Sequence, residues 1–166
     1  DCTFGRGGHS RELLKRLGTD CRVLGIDTDP EAVEEGRRLA AEDARFEIVQ
    51  SAFSALAVTT AQAVGETLVN GVLFDLGVSS PQLDEARRGF SFQRDGPLDM
   101  RMNSGAGVSA AEWLAQVSEQ ELTRVLRDYG EERYARRIAR AILAEGRQHP
   151  VDTTLRLAEI VTAAMP

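Results

Sequence analysis

Residues 1–8 read Asp1-Cys2-Thr3-Phe4-Gly5-Arg6-Gly7-Gly8, and they carry more information about the architecture than any other segment. Two glycines, two positions apart, let the backbone turn sharply and let a ligand lie against bare main chain. An acid four residues before the first glycine would repel a pyrophosphate but suits a cationic or neutral nucleoside. The stretch therefore predicts a nucleotide-binding loop without a phosphate. No initiator Met and no full strand precede it, which indicates part of a longer protein.

Outward from this loop, helical and extended patterns alternate. Short apolar runs predict buried strands over residues 22–27, 46–49 and 72–76. Helices are predicted directly after the loop, from Pro30 to about Ala41 with Asp29 as the N-cap, and more weakly over residues 54–64. Strands alternating with helices imply a parallel sheet with right-handed crossovers.

Acidic residues stand where three of these predicted strands end. Asp1, Asp27 and Asp75 all fall near a carboxyl end, and ligands of such sheets bind beyond those ends. One acid there means little, but three with a glycine loop after the first predict a ligand site.

The second half of the chain changes character. Residues 77–107 hold seven Gly or Pro and no clear period, which predicts a long functional loop. Phe90 and Phe92, among several arginines, argue against plain disorder. From Ser109 the chain is helical. Capping boxes pair Ser109 with Glu112 and Ser118 with Glu121, and Thr153 or Thr154 caps a last helix. One helix face is lined by Leu122, Val125, Leu126 and Tyr129, and Gly130 closes that helix.

Composition sets the broad class. The chain has 166 residues, of which 42% are hydrophobic and 28% charged. This composition is typical of a globular protein, and the length allows one domain, or one domain and part of another. No apolar run reaches transmembrane length and nothing resembles a signal peptide, so a cytoplasmic protein with no membrane partner is expected. Two Cys and two His make no plausible zinc set, so no metal is expected.

The charge is unevenly spread. The net charge of −6 argues against a generic nucleic-acid coat, yet residues 122–147 hold seven Arg against four acids. This basic segment is compatible with RNA contact. A solvated helix with i,i+4 ion pairs explains the charge equally well.

The choice of nucleotide follows from three positions. The dinucleotide fingerprint needs glycine at its first, third and sixth positions, and Gly5 and Gly7 fit while Ser10 does not. Asp27, twenty residues after Gly7, stands where an acid grips two ribose hydroxyls in NAD and S-adenosylmethionine sites alike. The spacing of Asp1 and Gly5 favours S-adenosylmethionine, whose sulfonium and amino groups are cationic.

Longer strings resemble one family. They are Thr3-Phe4-Gly5-Arg6-Gly7-Gly8-His9-Ser10, the run from Asp75 to Leu83, the run from Arg88 to Met102 and Tyr129-Gly130-Glu131-Glu132-Arg133. In this order they resemble the bacterial RsmH (MraW) family over essentially the whole chain. The resemblance implies S-adenosylmethionine-dependent methylation of a cytidine N4 amino group in 16S ribosomal RNA of the small subunit. It also implies a class I methyltransferase (Rossmann-like) α/β sheet, partial here, with an inserted all-helical domain. The domains would be a cofactor-binding part, 1–82, and a substrate loop with the helical insert, 83–166.

The resemblance assigns the cofactor roles by position. The loop residues Gly7, Gly8 and His9 would contact the methionine part, Asp27 the ribose and Phe53 the adenine. Asp75 and Gln82 would complete the cofactor pocket. Alternatives stay open, because His9 could cap the following helix and Phe53 could be ordinary core.

The chemistry and the rival functions also leave alternatives. Asp75 is the candidate catalytic residue, serving the cofactor, the acceptor amine or both. Candidate substrate residues are Phe90, Phe92, Arg101, Arg133 and Arg137, and the two aromatic rings could instead plug the space between domains. The rivals are an NAD-dependent oxidoreductase and a non-catalytic rRNA-binding module. The sequence does not predict the oligomeric state. Residues 1–166 expressed alone are expected neither to fold stably nor to methylate RNA, because the sheet would be incomplete.

Overall fold

The computed structural model describes residues 1–65 and 68–166. The chain divides into two compact units. The first unit holds residues 1–79 and 102–105, and the second holds residues 80–101 and 106–166. The division falls between residues 79 and 80, and the predicted assignment of domains to 1–82 and 83–166 stays a prediction.

The first unit is an α/β arrangement around a small parallel sheet. Its helices are α1 (Gly8–Arg16), α2 (Pro30–Glu42) and α3 (Leu56–Val64), with a 3-10 turn at Phe53–Ala55. The strands β1 (Val23–Asp27) and β2 (Phe46–Gln50) pair in parallel, with Val23 opposite Phe46 and Asp27 opposite Gln50. The first two predicted strands and their parallel pairing are confirmed.

The opening residues extend this sheet on the other side of β1. Asp1 N donates to Leu24 O at 2.9 Å, and Phe4 N donates to Ile26 O at 3.1 Å. On the opposite side Cys2 N donates to Leu73 O at 2.9 Å. Residues 1–4 therefore lie between β1 and the segment 71–76.

The predicted strand over residues 72–76 is wrong as regular secondary structure, because no strand forms there. One reason lies in its pairing with residues 1–4: Asp75 N donates to the Thr3 hydroxyl at 2.7 Å instead of to a backbone carbonyl. The apolar side chains Val72, Phe74 and Leu76 are exposed, so the segment lacks the burial expected of an inner strand.

Local chemistry explains where α2 begins. The Asp29 carboxylate accepts from Glu31 N at 3.0 Å, and Pro30 occupies the first helical position, as predicted. The helix then buries its apolar face mainly against β2 and also against β1. The resulting core is made of Phe4, Leu14, Val23, Ala32, Leu39 and Phe46.

The second unit is built from helices and well-anchored loops. Its helices are α4 (Ser80–Asp84), α5 (Ala110–Gln116), α6 (Glu119–Asp128), α7 (Ala135–Gly146) and α8 (Thr154–Ala164), and Ala86–Arg88 forms a 3-10 turn. Its core consists of Leu98, Leu122, Ile138, Ala139, Ile142, Val151, Ile160 and Ala164. The predicted loop over 77–107 thus contains a short helix and a turn that the sequence pattern missed.

Three predicted caps can be compared with the structure. Ser109 and Glu112 form the expected reciprocal capping box at α5. Ser118 caps α6 by accepting from Glu121 N, but the Glu121 carboxylate binds the Arg124 guanidinium instead of closing a box. Thr153 caps α8.

The end of α6 differs from the prediction. Leu122 is buried and Leu126 packs against the core, but Tyr129 is 74% exposed. The left-handed residue after the helix is Glu131, with φ 52°, and not Gly130. Gly130 is required for space, because an added Cβ would lie 2.7 Å from Leu126 O.

Candidate active site in the first unit

The glycine loop fixes the start of α1. Gly5 and Gly7 adopt left-handed backbones with φ 57° and 78°. An added Cβ at Gly7 would lie 2.7 Å from the ring of Phe4, which is a buried core residue. Only glycine therefore allows this close approach, and it leaves bare main chain at the beginning of the helix.

Ser10 explains why the third fingerprint glycine is absent. Its side chain is fully buried, and its Oγ donates to Asp1 Oδ2 at 2.8 Å. Asp1 Oδ1 also accepts from Thr3 N at 3.3 Å. The Asp1 carboxylate thus anchors α1 to the strand end, in addition to adding negative charge beside the loop.

Asp27 is oriented by the backbone around it. Its Oδ2 accepts from Gly5 N at 2.8 Å, and its Oδ1 accepts from Asp29 N at 2.9 Å. A carboxylate has about four acceptor positions. Each Asp27 oxygen therefore keeps acceptor capacity for a hydroxyl pair of a ligand.

His9 and Asp75 are brought together although 66 residues separate them. His9 Nε2 lies 3.1 Å from Asp75 Oδ2, and both side chains are more than half exposed. The Asp75 backbone is held by Thr3, so a short polar chain links the glycine loop to the segment 71–76. The geometry does not favour the alternative in which His9 only caps α1, because the N-cap is Gly7 and the His9 ring contacts Asp75.

Phe53 stands at the exit of β2. It packs edge-on against Phe74, with ring centroids 5.8 Å apart and an interplanar angle of 88°. Phe53 is 50% exposed, so it is not an ordinary core residue. Half of its ring surface remains for a flat ligand.

The first unit therefore gathers most of the predicted cofactor residues around neighbouring strand ends. They are Gly7, Gly8, His9, Asp27, Phe53 and Asp75. Carboxylates, a half-exposed aromatic ring and bare main chain fit a nucleoside that carries positive charge. The same carboxylates would repel a pyrophosphate, so the residues present fit S-adenosylmethionine better than NAD.

Gln82 lies in the second unit, on α4. Its side chain is buried and has partners of its own. Its contribution to a cofactor pocket stays a prediction.

Two predicted substrate aromatics lie on the irregular segment that follows α4. Phe92 is 70% exposed, whereas Phe90 is half-buried. A ring this exposed is available for contact with a base. Stacking on a base and plugging between domains both stay hypotheses.

Arg101 is engaged by its neighbour. Its Nε donates to Asp99 Oδ1 at 2.8 Å, and its Nη2 donates to Asp99 Oδ2 at 2.7 Å. These hydrogen bonds lower the pKa of the Asp99 carboxyl below its usual range. The geometry gives Arg101 a structural partner, and substrate contact stays a prediction.

The basic segment is partly neutralised. Arg140 Nε lies 2.8 Å and Arg136 Nε 3.7 Å from Glu119 Oε1, which ties α7 to α6. Arg133 precedes α7, whereas Arg136, Arg137 and Arg140 lie on that helix. Arg137 is exposed, and no ion pair or hydrogen bond of its side chain occurs among residues 1–65 and 68–166.

Sequence reasoning missed several residues that shape the site. Thr3 holds the Asp75 backbone, Phe74 holds the ring of Phe53, and Ser10 binds Asp1. The alternation of the opening strand offered a signal for Thr3, since Asp1 and Thr3 share one face. Phe74 gave no local signal, because its partner is 21 residues away.

Two features are absent from the described residues. No group of three or more His, Cys, Asp or Glu in that part of the chain could hold a metal ion. Within the same residues, no helix combines the length and the apolar character needed to cross a membrane.

Comparisons with known proteins identify the family of the chain. A family model described as the MraW methylase family matches residues 1–166. "Ribosomal RNA small subunit methyltransferase H" of Nitrosococcus oceani is 55% identical over 166 residues, covering 100% of this chain and 53% of that relative. The protein with the same description from Methylococcus capsulatus is 57% identical over 167 residues, covering 100% and 56%. The chain spans about half the length of the curated relatives it matches.

Proposed function

The chain belongs to the MraW methylase family, and from that premise we propose that it carries the cofactor site of an rRNA methyltransferase. The proposed reaction moves a methyl group from S-adenosylmethionine to the N4 amino group of a cytidine in 16S rRNA of the small ribosomal subunit. The observation that carries this proposal is the cluster of Asp27, the glycine loop and the His9–Asp75 pair in one unit. The proposed fold is a class I methyltransferase sheet with an inserted helical domain.

When bound, S-adenosylmethionine would supply an activated methyl group on a sulfonium. The chain's own residues then act by binding and alignment, because the leaving group is neutral and needs no acid. Asp27 would accept hydrogen bonds from the ribose hydroxyls. Phe53 would lie on the adenine, and the loop Gly7–His9 would meet the methionine part.

Asp75 has two possible duties at this site. Its carboxylate could attract the positive charge of the cofactor or accept an N–H hydrogen bond from the cytosine amine. The second duty helps because the N4 lone pair is delocalised into the ring and must be freed for attack. Gln82 is proposed to complete the cofactor pocket.

For the substrate, we retain Phe90 and Phe92 as stacking candidates and Arg101, Arg133 and Arg137 as phosphate contacts. A target base must leave its stack to reach such a site. The exposed ring of Phe92 supports stacking on an unstacked base, and the exposed guanidinium of Arg137 supports contact with a phosphate. The proposed partner is therefore the small ribosomal subunit or its RNA, in the cytoplasm.

Titration calorimetry on a complete family protein carrying this sequence tests the proposal. S-adenosylmethionine should bind and NAD should not, and a small-subunit RNA should receive a methyl group on a cytidine N4. Binding of NAD alone would favour the oxidoreductase. Binding of RNA without cofactor affinity would favour the non-catalytic module, which shares the fold but lacks a working cofactor site.

A further inference from the structure

We propose that the turn between α6 and α7, residues 129–134, is a preformed stacking platform for a single-stranded RNA base. This inference rests on the proposed function, which supplies RNA as the partner. The platform's working surface is the ring of Tyr129, and Arg137 on the following helix α7 supplies a phosphate contact.

The backbone of this turn is held in an unfavourable conformation. Glu131 has φ 52°, in the left-handed region that a non-glycine residue rarely adopts. Gly130 has no space for a side chain, because an added Cβ would meet Leu126 O. Strain of this kind persists only where the surrounding structure enforces it. Residues with such strain are concentrated at functional sites.

Several contacts enforce the turn. Glu132 N donates to Leu126 O at 3.0 Å, and the Glu132 carboxylate accepts from Tyr134 N at 2.7 Å. The Arg133 guanidinium lies 4.4 Å from the centre of the Tyr134 ring and hydrogen-bonds its hydroxyl. These contacts hold the turn in this conformation without a partner.

Tyr129 is exposed to solvent, and contacts with Arg124 also hold its ring in one orientation. Its ring is 74% exposed, although the helical pattern places it on the core-facing side of α6. Arg124 lies 5.4 Å from its ring centre and donates to its hydroxyl at 3.4 Å. Arg124 is itself held by two hydrogen bonds to Glu121. A ring fixed in this way loses little side-chain entropy when a base stacks on it.

The charges near the turn are mostly paired. RNA binding should therefore depend more on stacking on the Tyr129 ring than on electrostatic attraction. Asp128 is paired with Arg127, and Glu119 with Arg136 and Arg140, so most local charges cancel. Arg137 remains as an exposed cation, while the exposed Glu131 opposes a polyanion. A flat aromatic surface together with the guanidinium of Arg137, which has no ion pair among the described residues, matches a single strand, whose bases are available for stacking. It offers little to a regular duplex.

The test uses a fluorescein-labelled single-stranded RNA oligonucleotide and a complete family protein carrying this sequence, without cofactor, at several salt concentrations. Tyr129→Ala should weaken binding about tenfold or more and leave the salt slope unchanged. Tyr129→Phe, which keeps the ring, should bind within about twofold of the parent. Arg137→Gln should weaken binding and reduce the slope by about one phosphate contact. Arg147→Gln, ten residues further along the chain, is the matched control and should change neither.

Two results would overturn the platform. One is parental affinity of Tyr129→Ala for single-stranded RNA, or an equal loss for a duplex. The other is a loss seen only with whole small-subunit particles, which would assign the surface to a protein partner. Cofactor titration and methyl transfer are measured separately. A parent that binds RNA in this pattern but binds no S-adenosylmethionine would contradict the proposed function and leave the platform standing.

Discussion

Asp27 anchors two backbone amides and is also proposed to bind the ribose of the cofactor. Its carboxylate holds the glycine loop and the start of α2 through backbone amides, and it has acceptor capacity left for a ligand. A residue that is both anchor and ligand is hard to recognise from its position alone. The spacing from Gly7 suggested the ribose contact, whereas the anchoring depends on Gly5, which is 22 residues away.

In a complete family protein, Asp27→Ala should weaken S-adenosylmethionine binding by about 1–3 kcal/mol, the cost of leaving polar ligand groups unpaired. Titration calorimetry measures the change. Asp20→Ala, an exposed acid before β1, is the control and should bind like the parent. Unchanged affinity for Asp27→Ala would remove this residue from the site.

A second carboxylate gives a pH dependence. Hydrogen bonds from Arg45 lower the pKa of Asp43 from 3.8 to about 2. A carboxylate with a lowered pKa stabilises the fold above its unfolded pKa, and that stability is lost as pH falls through the folded pKa. The difference in free energy of unfolding between parent and Asp43→Asn should therefore be constant at neutral pH and shrink between pH 3.8 and about 2. Urea denaturation at a series of pH values measures it, and a difference that does not change with pH would contradict the assignment.

The caps at Asp29 and Ser109 and the strands β1 and β2 were predictable because their causes are local. Asp29 with Pro30, and Ser109 with Glu112, each settle a helix start within four residues. Strands β1 and β2 follow from apolar runs of five residues. The exposed Tyr129 could not be predicted, since the helical period continues through it while the chain turns at Gly130. The small helix α4 was missed because the glycines and prolines around it mask so short an element.

The α6–α7 turn should be intolerant of a side chain at Gly130. Gly130→Ala would place a Cβ 2.7 Å from Leu126 O and should lower the free energy of unfolding by about 1–3 kcal/mol. Gly18→Ala is the matched control, because nothing lies within 4 Å of an added Cβ there and the backbone has no positive φ. Thermal or urea unfolding compares the two, and equal stability would show that the turn can relax.

Across the whole chain, the motifs grouped the candidate cofactor residues more accurately than the apolar runs predicted the sheet that carries them. The roles of Gly7, Gly8, His9, Asp27 and Asp75 came from motifs, and the structure brings these residues into one unit. The third strand could not be judged from residues 72–76 alone, because a strand is defined by its neighbours. Side-chain burial there depends on contacts that no local pattern records.

The exposed apolar side chains of segment 68–78 should affect the behaviour of the 166-residue chain. Leu68 is 91% and Leu76 70% exposed, and a surface of this kind binds hydrophobic dyes. The double variant Leu68→Lys with Leu76→Lys should reduce dye fluorescence. Leu155→Lys, an isolated exposed leucine on α8, should leave it unchanged. Equal fluorescence in all three proteins would show that this segment is not the dye-binding surface.

Within the second unit Pro97 pairs with Thr153 in an antiparallel bridge, and this contact has a consequence for synthesis. Leu98 N donates to Asp152 O at 2.8 Å, and Thr154 N donates to Gly96 O at 3.0 Å. Forming these bonds closes a loop of about 55 residues. The chain loses the conformational entropy of that loop when the loop closes. At about 5–20 residues per second, the ribosome needs about 3–11 seconds to make that loop. During this interval residues 96–98 have no partner strand, so a nascent chain that pauses before Thr154 exposes Leu98 to chaperones and proteases.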